Sequence, residues 1–270
     1  MASWYVNSHV HTCNDHGELF SLTHRTKPGK PRKHEGNISE APCQVATADA
    51  HIDGLKVVAG TRHVPASHIA SPATYHLTVA GKKEPHAWDK EISAVRLSPS
   101  GRYVAIGDKS GALAILEVDT LTEKYRSTSA FEDPAPPDLV SPPTPPQSSP
   151  PIHFFAWASD ETRLTFSAPG SDKIGIWDER TNTHYPVDAP GAVSVEVVRA
   201  QIMIVRTIQG SEYKLVPAFL NGRTLQFGKA FDDGRNVSLS DMDRIALNHN
   251  AKLLATYSSS KRQLNVWKIG

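Results

Sequence analysis

The sequence has few residues of the kinds that mark a disulfide-stapled, membrane-spanning or strongly charged protein. Only two cysteines, Cys13 and Cys43, occur in 270 residues, which is too few for a disulfide framework and favours a reducing compartment. No apolar run is long enough to cross a bilayer, and residues 1–10 lack the apolar core of a signal peptide. The net charge of +1 provides no general attraction to nucleic acid or an anionic membrane. We therefore expect an intracellular protein, cytoplasmic or nuclear, with no membrane span.

Sequence motifs of the common catalytic classes are also missing. There is no Gly-x-Ser-x-Gly, no Walker loop and no dinucleotide fingerprint. His9, His11 and Cys13 alternate along one predicted strand and, with His16, form a hypothetical metal cluster. They lack the paired spacing of zinc ligands, so we interpret them as polar strand residues. The sequence predicts no enzyme activity, no metal, no cofactor and no small-molecule substrate.

What the sequence does contain is a pattern that occurs three times: an alternating strand, a polar turn, a compact apolar strand and a strand that ends on a large apolar residue. The first and last marker residues of the three units are Leu97 and Leu116, Trp157 and Trp177, and Leu247 and Trp267. The spacing is 19 residues in the first unit and 20 in the other two. A constant internal period indicates one supersecondary unit of three short strands, stacked several times.

This pattern resembles the WD-repeat β-propeller family. Trp177-Asp178 stands at the end of a third strand, and Trp267-Lys268 and Leu116-Glu117 are degenerate versions of the same dipeptide. The family often has a turn Asp six residues before the Trp, where this chain has Ser110, Ser171 and Lys261. The resemblance implies an all-β propeller in which the units stack around an axis and leave only short edges.

The rest of the chain fits the same period. We predict a divergent unit within 193–227, another within 45–79, and a partial one at the start, where residues 9–13 and 18–22 match second and third strands. The chain would then begin inside a blade and form one domain over residues 1–270. Two readings stay open: six blades with an irregular closing blade, or part of a seven-bladed ring whose first strands are absent. An unclosed ring would expose strand edges that invite pairing with another chain.

A basic and polar loop is predicted over residues 24–44. Its positive charges lie at Arg25, Lys27, Lys30, Arg32 and Lys33, with no acid between residues 24 and 34. Proline and glycine exclude a stable helix there. The functional interpretation is a nuclear-localisation or polyanion-contact loop, and the alternative is a solvated loop between strands.

A second break in the repeat is a proline-rich insert between blades, residues 132–151, with nine prolines. Such a segment samples polyproline II and cannot form a core, so we expect it to be disordered and dispensable for folding. It is either a spacer or a ligand for an aromatic groove on another protein. Ser141, Thr144 and Ser149 each precede proline and are candidate phosphorylation sites.

These observations predict a non-catalytic scaffold that presents propeller loops to protein partners in a larger complex. Two alternatives are a propeller-type hydrolase with a metal in its channel, and contact with nucleic acid or another polyanion through the basic loop. The residues predicted to hold the blades together are Leu97, Leu116, Trp157, Trp177, Asp178, Leu247 and Trp267.

Overall fold

In a computed structural model, the described residues form antiparallel β-sheets and no helix. The structure describes residues 2–6, 9–13, 18–23, 33–37, 44–50, 57–63, 74–79, 84–133, 149–199, 201–209, 212–229, 244–247, 253–258 and 263–268. The chain divides into two compact units, Met1–Thr128 and Ser129–Gly270.

The first unit contains three sheets of four strands each. The first sheet is β1 (Ala2–Val6), β2 (His9–Cys13), β3 (Glu18–Thr23) and β4 (Lys33–Asn37). The second is β5 (Gln44–Ala50), β6 (Val57–His63), β7 (Thr74–Val79) and β8 (His86–Trp88). The third is β9 (Ile92–Leu97), β10 (Tyr103–Asp108), β11 (Leu113–Glu117) and β12 (Glu123–Ser127).

The second unit contains two sheets of four strands and, in its described part, one of three. The fourth sheet is β13 (Phe154–Trp157), β14 (Arg163–Ser167), β15 (Lys173–Asp178) and β16 (Thr183–Asp188). The fifth is β17 (Ala192–Arg199), β18 (Ile202–Gln209), β19 (Glu212–Asn221) and β20 (Thr224–Phe227). The sixth is β21 (Arg244–Leu247), β22 (Leu253–Ser258) and β23 (Gln263–Lys268).

Every sheet is a meander in which consecutive strands pair in sequence order. The first strands of successive sheets lie beside one another: β1, β5 and β9 in the first unit, and β13, β17 and β21 in the second. Asp49 on β5 accepts a hydrogen bond from the Leu97 backbone N–H on β9 at 2.8 Å. Within each unit, the sheets are thus joined along their first strands while their fourth strands lie at the opposite edges.

Consecutive sheets pack face to face through apolar side chains. In the first unit, Val58, Leu77 and Trp88 of the second sheet share one core with Ile106 and Leu116 of the third. All six residues of β10 are buried, so this strand is covered on both faces, as its nearly continuous apolar sequence predicts.

The second unit repeats this construction between its fourth and fifth sheets. Ile174 and Ile176 on β15 pack with Val195, Met203 and Val205 of the fifth sheet. A fully buried side chain of this size contributes on the order of 1.5–3 kcal/mol to folding. The same packing of paired faces therefore stabilises both units.

The turns after the first strands of the third and fourth sheets have the same geometry. The Gly101 N–H donates to the Ser98 carbonyl at 2.8 Å, and the Glu161 N–H donates to the Ala158 carbonyl at 2.9 Å. Both turn residues have positive φ, 69° for Gly101 and 60° for Glu161. Glycine adopts this left-handed conformation readily, whereas glutamate does so at a cost.

Two features of the sheets differ from the sequence-based expectations. Each complete sheet has a fourth strand, at β4, β8, β12, β16 and β20, which the three-strand pattern missed. These strands are short or largely polar. Each lies at the edge of its sheet, with a neighbouring strand on one side only, and therefore needs little alternation of apolar and polar residues. The first sheet also begins with β1, paired with β2, so the prediction that the chain starts inside a blade is wrong.

The predicted basic loop is also shorter than expected. Strand β4 lies inside the predicted basic loop, where it pairs with β3, because pairing satisfies backbone groups that a loop would leave to solvent.

The prediction of a divergent unit within 193–227 is confirmed as the fifth sheet, and the unit within 45–79 as the second.

Candidate functional site at the base of the proline-rich insert

The structure describes both ends of the proline-rich insert, residues 129–133 and 149–152, which we call the insert base. Residues 134–148, between these ends, lie outside the described residues. The insert base belongs to the second unit and precedes β13.

A hydrogen bond between two serines joins the two ends. The Oγ atoms of Ser129 and Ser149 are 2.8 Å apart, and either can be the donor. A hydrogen bond of this kind contributes about 1 kcal/mol to stability. The chain therefore enters the insert and returns from it at one place on the molecule.

Apolar side chains hold both ends on the body of the unit. Ala130 and Phe131 are buried on one side of the insert, and Ile152 is buried on the other. The Phe131 ring packs edge-on against Phe166 of β14, with 5.5 Å between ring centroids. Because both ends are buried, the chain leaves the second unit and rejoins it at fixed positions.

His184 on β16 binds the segment just before residue 134. Its Nε2 lies 2.8 Å from the backbone carbonyl oxygen of Glu132. A carbonyl only accepts hydrogen bonds, so Nε2 carries the proton. The ring is 2% exposed, and burial lowers the pKa of His184 below its usual value, although the bond to Glu132 opposes this shift. His184 is therefore a neutral donor at pH 7.

An exposed ion pair completes the insert base. Arg223, in the turn before β20, contacts the Asp133 carboxylate at 2.9 Å between Nη1 and Oδ1, and its guanidinium lies 5.2 Å from the centroid of the Tyr185 ring. Burial raises the pKa of Tyr185, and Arg163 partly opposes this. Because Arg223 and Asp133 are both mostly exposed, their pair adds little stability. The pair connects Asp133, the last described residue before residue 134, to the turn before β20.

The insert base differs from the predicted fully disordered segment 132–151. Glu132, Asp133 and Ser149 have defined hydrogen-bond partners. Two of those partners are 52 and 90 residues away in sequence. Composition alone indicates that prolines cannot form a core, but it does not reveal contacts with distant strands.

The residues predicted to hold the repeats together lie at corresponding places in different sheets. Leu97 and Trp157 end β9 and β13, whereas Leu116 and Trp177 lie on the third strands β11 and β15. Trp177 is fully buried, and its ring packs edge-on against Trp157, with 6.0 Å between ring centroids. The backbones of Leu247 and Trp267 lie on β21 and β23, and their side chains lie outside the described part of the chain.

The acid of the Trp-Asp dipeptide has a defined role. Asp178 pairs with Arg163 directly across from it on β14, at 3.2 Å between Oδ2 and Nε. Glu117, which follows Leu116, pairs with Arg102 at 3.4 Å. In both sheets the acid after the closing residue thus pairs with an arginine near the start of the second strand.

A different aspartate, which the sequence analysis missed, links neighbouring sheets. Asp108 ends β10, is buried, and accepts a hydrogen bond from the indole N–H of Trp88 on β8 at 3.1 Å. Its other oxygen accepts from the N–H and hydroxyl of Ser110 at 2.8 and 2.7 Å. Asp108 lies eight residues before Leu116 rather than six, so a search at the family's usual position does not find it.

Several predicted sites fall on undescribed parts of the chain. Arg25, Lys27, Lys30 and Arg32 of the basic loop lie outside the described residues, as do Ser141 and Thr144, and only the backbone of Lys33 is described. Among the described side chains, no group of three or more His, Cys, Asp and Glu is placed to hold a metal. The described residues include no helix long and apolar enough to span a membrane.

The chain is similar in fold to solved structures. One is a chain of the "Crystal Structure of Mitotic Checkpoint Complex", with TM-score 0.55 and 12% identity, covering 98% of this chain and 85% of that chain. Another is a functionally unknown protein from Desulfotomaculum acetoxidans DSM 771, with TM-score 0.62 and 15% identity, covering 98% of this chain and 81% of that chain. At these identities the likeness concerns the fold alone. No family model matches the chain, and no curated protein does.

Proposed function

We propose that this chain is a WD-repeat-type β-propeller of about six blades that acts as a non-catalytic scaffold, with its loops binding partner proteins in a larger complex. The single domain then spans residues 1–270, and the six sheets are its blades. The observation that carries the proposal is the insert base, which holds both ends of the proline-rich insert together on the second unit.

The sheets support the propeller interpretation. Four-stranded meanders pack face to face, and their first strands lie beside one another within each unit. Propeller blades have this arrangement, with the first strand of each blade next to the axis. The solved structures of similar fold cover almost the entire chain.

The insert base supports an interaction role. A flexible ligand loses conformational entropy on binding, and fixing both of its ends reduces that loss. Polyproline segments already favour one extended conformation and are read by aromatic grooves. A proline-rich loop whose ends are buried and hydrogen-bonded is therefore well suited to recognition by a partner.

The kind of partner that we propose is a protein. One solved structure of similar fold comes from a complex, the mitotic checkpoint complex. The net charge of +1 provides no general attraction to nucleic acid. We also propose an intracellular location, in the cytoplasm or nucleus, in keeping with the two cysteines.

The test is affinity purification from native cells, followed by quantitative mass spectrometry, with three baits. The first is the unchanged chain, and the second carries a Gly/Ser linker of equal length in place of residues 134–148. The third has Arg25, Lys27, Lys30, Arg32 and Lys33 changed to Gln. A scaffold should retain stoichiometric partners, and the linker bait should lose a subset that the Gln bait keeps.

The two altered baits are controls for each other, since each changes one loop and leaves the other intact. Rebinding of a captured protein to the purified chain, and not to the linker variant, would establish direct contact. If the unchanged chain retains no stoichiometric protein, the scaffold proposal is wrong. If the linker and Gln baits lose the same proteins, the insert has no separate binding role.

A further inference from the structure

We propose that Ser149 is a phosphorylation site and that a phosphate on its Oγ opens the insert base. Ser149 lies at the point where the insert returns to the second unit, and its hydroxyl contacts Ser129 at 2.8 Å. A modification of this atom therefore acts on the contact that joins the two ends of the insert.

The local chain fits a kinase that selects serine before proline. Ser149 precedes Pro150 and Pro151, and these three residues lie in no strand. A residue before proline favours the extended backbone in which kinases bind their substrates. Ser149 is only partly buried, and a kinase has to break its hydrogen bond to Ser129 to reach the hydroxyl.

The reaction needs a protein kinase and ATP. The Ser149 Oγ attacks the γ-phosphorus, an Oγ–P bond forms, and the bond between that phosphorus and the β–γ bridging oxygen breaks to release ADP. The hydroxyl proton passes to the base of the kinase. The product carries a charge of about −1.5 to −2 at pH 7 and has no hydrogen on Oγ to donate.

The charges near the Ser129 end determine the direction of the effect. Glu132 and Asp133 follow Ser129 by three and four residues, and Arg223 is already engaged by Asp133. A phosphate at Ser149 adds negative charge to a site whose other end already carries these two acids, and it is larger than the hydroxyl that fits beside Ser129. Repulsion and crowding should separate the two ends, while Phe131 and Ile152 remain buried on the body of the unit.

The consequence for partner binding rests on the proposed function, in which a partner recognises an insert whose two ends are held together at the insert base. The modification itself does not depend on any partner. Phosphate incorporation and opening of the insert base can therefore be measured on the isolated chain, and a failure there is distinct from a failure to find partners.

The experiment treats the purified full chain with a recombinant proline-directed kinase and ATP, maps phosphate by mass spectrometry and follows amide hydrogen exchange. We expect phosphate on Ser149 and exchange over residues 129–133 that is about tenfold faster, as loss of one hydrogen bond together with charge repulsion predicts. Ser129→Ala removes the same hydrogen bond without charge and should speed exchange less. Ser149→Ala should carry no phosphate at that position.

Thr144→Ala is the matched control, since it removes a neighbouring Thr-Pro site outside the insert base and should leave the response unchanged. Phosphate on Ser141 and Thr144 but not on Ser149 would contradict the proposal that Ser149 is the phosphorylation site. Slower or unchanged exchange in the phosphorylated chain would overturn the opening, and slower exchange would indicate that the phosphate binds Arg223 instead.

Discussion

Single residues show how a degenerate repeat keeps its geometry. Gly101 and Glu161 occupy the same turn in two sheets, with the same backbone hydrogen bond and positive φ. Each lies four residues after the first marker residue of its unit, Leu97 or Trp157, and the structure shows that glycine and glutamate adopt the same left-handed conformation there. The turn tolerates a side chain, but the left-handed backbone favours glycine.

This equivalence predicts opposite effects for two substitutions. Glu161→Gly should stabilise the protein by about 0.5–1 kcal/mol because it relieves the left-handed strain, and Gly101→Ala should destabilise it by about 1–2 kcal/mol. Chemical denaturation of both variants measures these changes. Destabilisation by Glu161→Gly would mean that contacts of the glutamate side chain outweigh its backbone strain.

His184 predicts a pH dependence of stability. Its pKa in the folded protein lies below the usual value of about 6.5 because the ring is buried. The unfolded chain therefore binds a proton at this residue at higher pH than the folded chain does. The contribution of neutral His184 is complete above pH 6.5 and is lost as the pH falls towards the folded pKa, by at most about 1.4 kcal/mol per pH unit.

The measurement is the free energy of unfolding between pH 5 and 8 for the unchanged chain and for His184→Gln. The glutamine can donate to the Glu132 carbonyl but does not titrate, so the variant should show a weaker loss of stability on acidification. Other histidines titrate equally in both proteins and cancel in the difference. Identical pH profiles would show that His184 is not shielded from protonation.

At the scale of elements, edge strands were the hardest to predict. Strand β16 has the sequence THYPVD, with a proline and partly buried positions, and its alternation is weak. It nevertheless holds His184 and Tyr185, which bind or flank the insert base. Central strands such as β10 were easier to predict because burial on both faces demands a continuous apolar sequence.

The insert and its base should differ in their effect on folding. Replacing residues 134–148 by a Gly/Ser linker of equal length should change the melting temperature by less than about 3 °C, on the order of 1 kcal/mol. Phe131→Ala removes a buried ring that packs on Phe166 and should cost about 3–5 kcal/mol. Thermal unfolding followed by circular dichroism compares the two variants. A large loss of stability in the linker variant would contradict the prediction that this stretch is dispensable.

At the scale of the whole molecule, the two units are built in the same way. Each joins its sheets along their first strands and packs consecutive sheets through apolar faces. Asp108 forms a hydrogen bond between neighbouring sheets. It lies eight residues before Leu116, whereas the turn Asp of WD repeats often lies six residues before the closing Trp. The two units therefore share their packing, although the residues that form it differ.

If the chain is the non-catalytic scaffold proposed above, its fold should not depend on a metal. Dialysis against EDTA should leave the melting temperature and the far-ultraviolet circular dichroism spectrum unchanged, and elemental analysis of the purified chain should show no stoichiometric metal. The described side chains include no metal-binding cluster. Stoichiometric zinc that stabilises the fold would instead favour the hydrolase alternative, since metal binding adds to folding free energy.

The sequence by itself determined the repeat and the strands at its centre. The spacing from Trp157 to Trp177 and from Leu97 to Leu116 is a local property of the chain, because side chains alternate along a strand and turns have a narrow range of lengths. The same local alternation located the divergent fifth sheet. Proline content likewise identified the insert, since a proline-rich segment offers few backbone donors and little apolar surface.

The tertiary structure decided which distant residues meet. His184 binds Glu132 across 52 residues, and Arg223 pairs with Asp133 across 90. No local pattern encodes these pairs, because each joins the segment 129–133 to a strand or turn far along the chain. The fourth strands were decided in the same way, since an edge strand with weak alternation forms only where a preceding strand offers unpaired N–H and C=O groups.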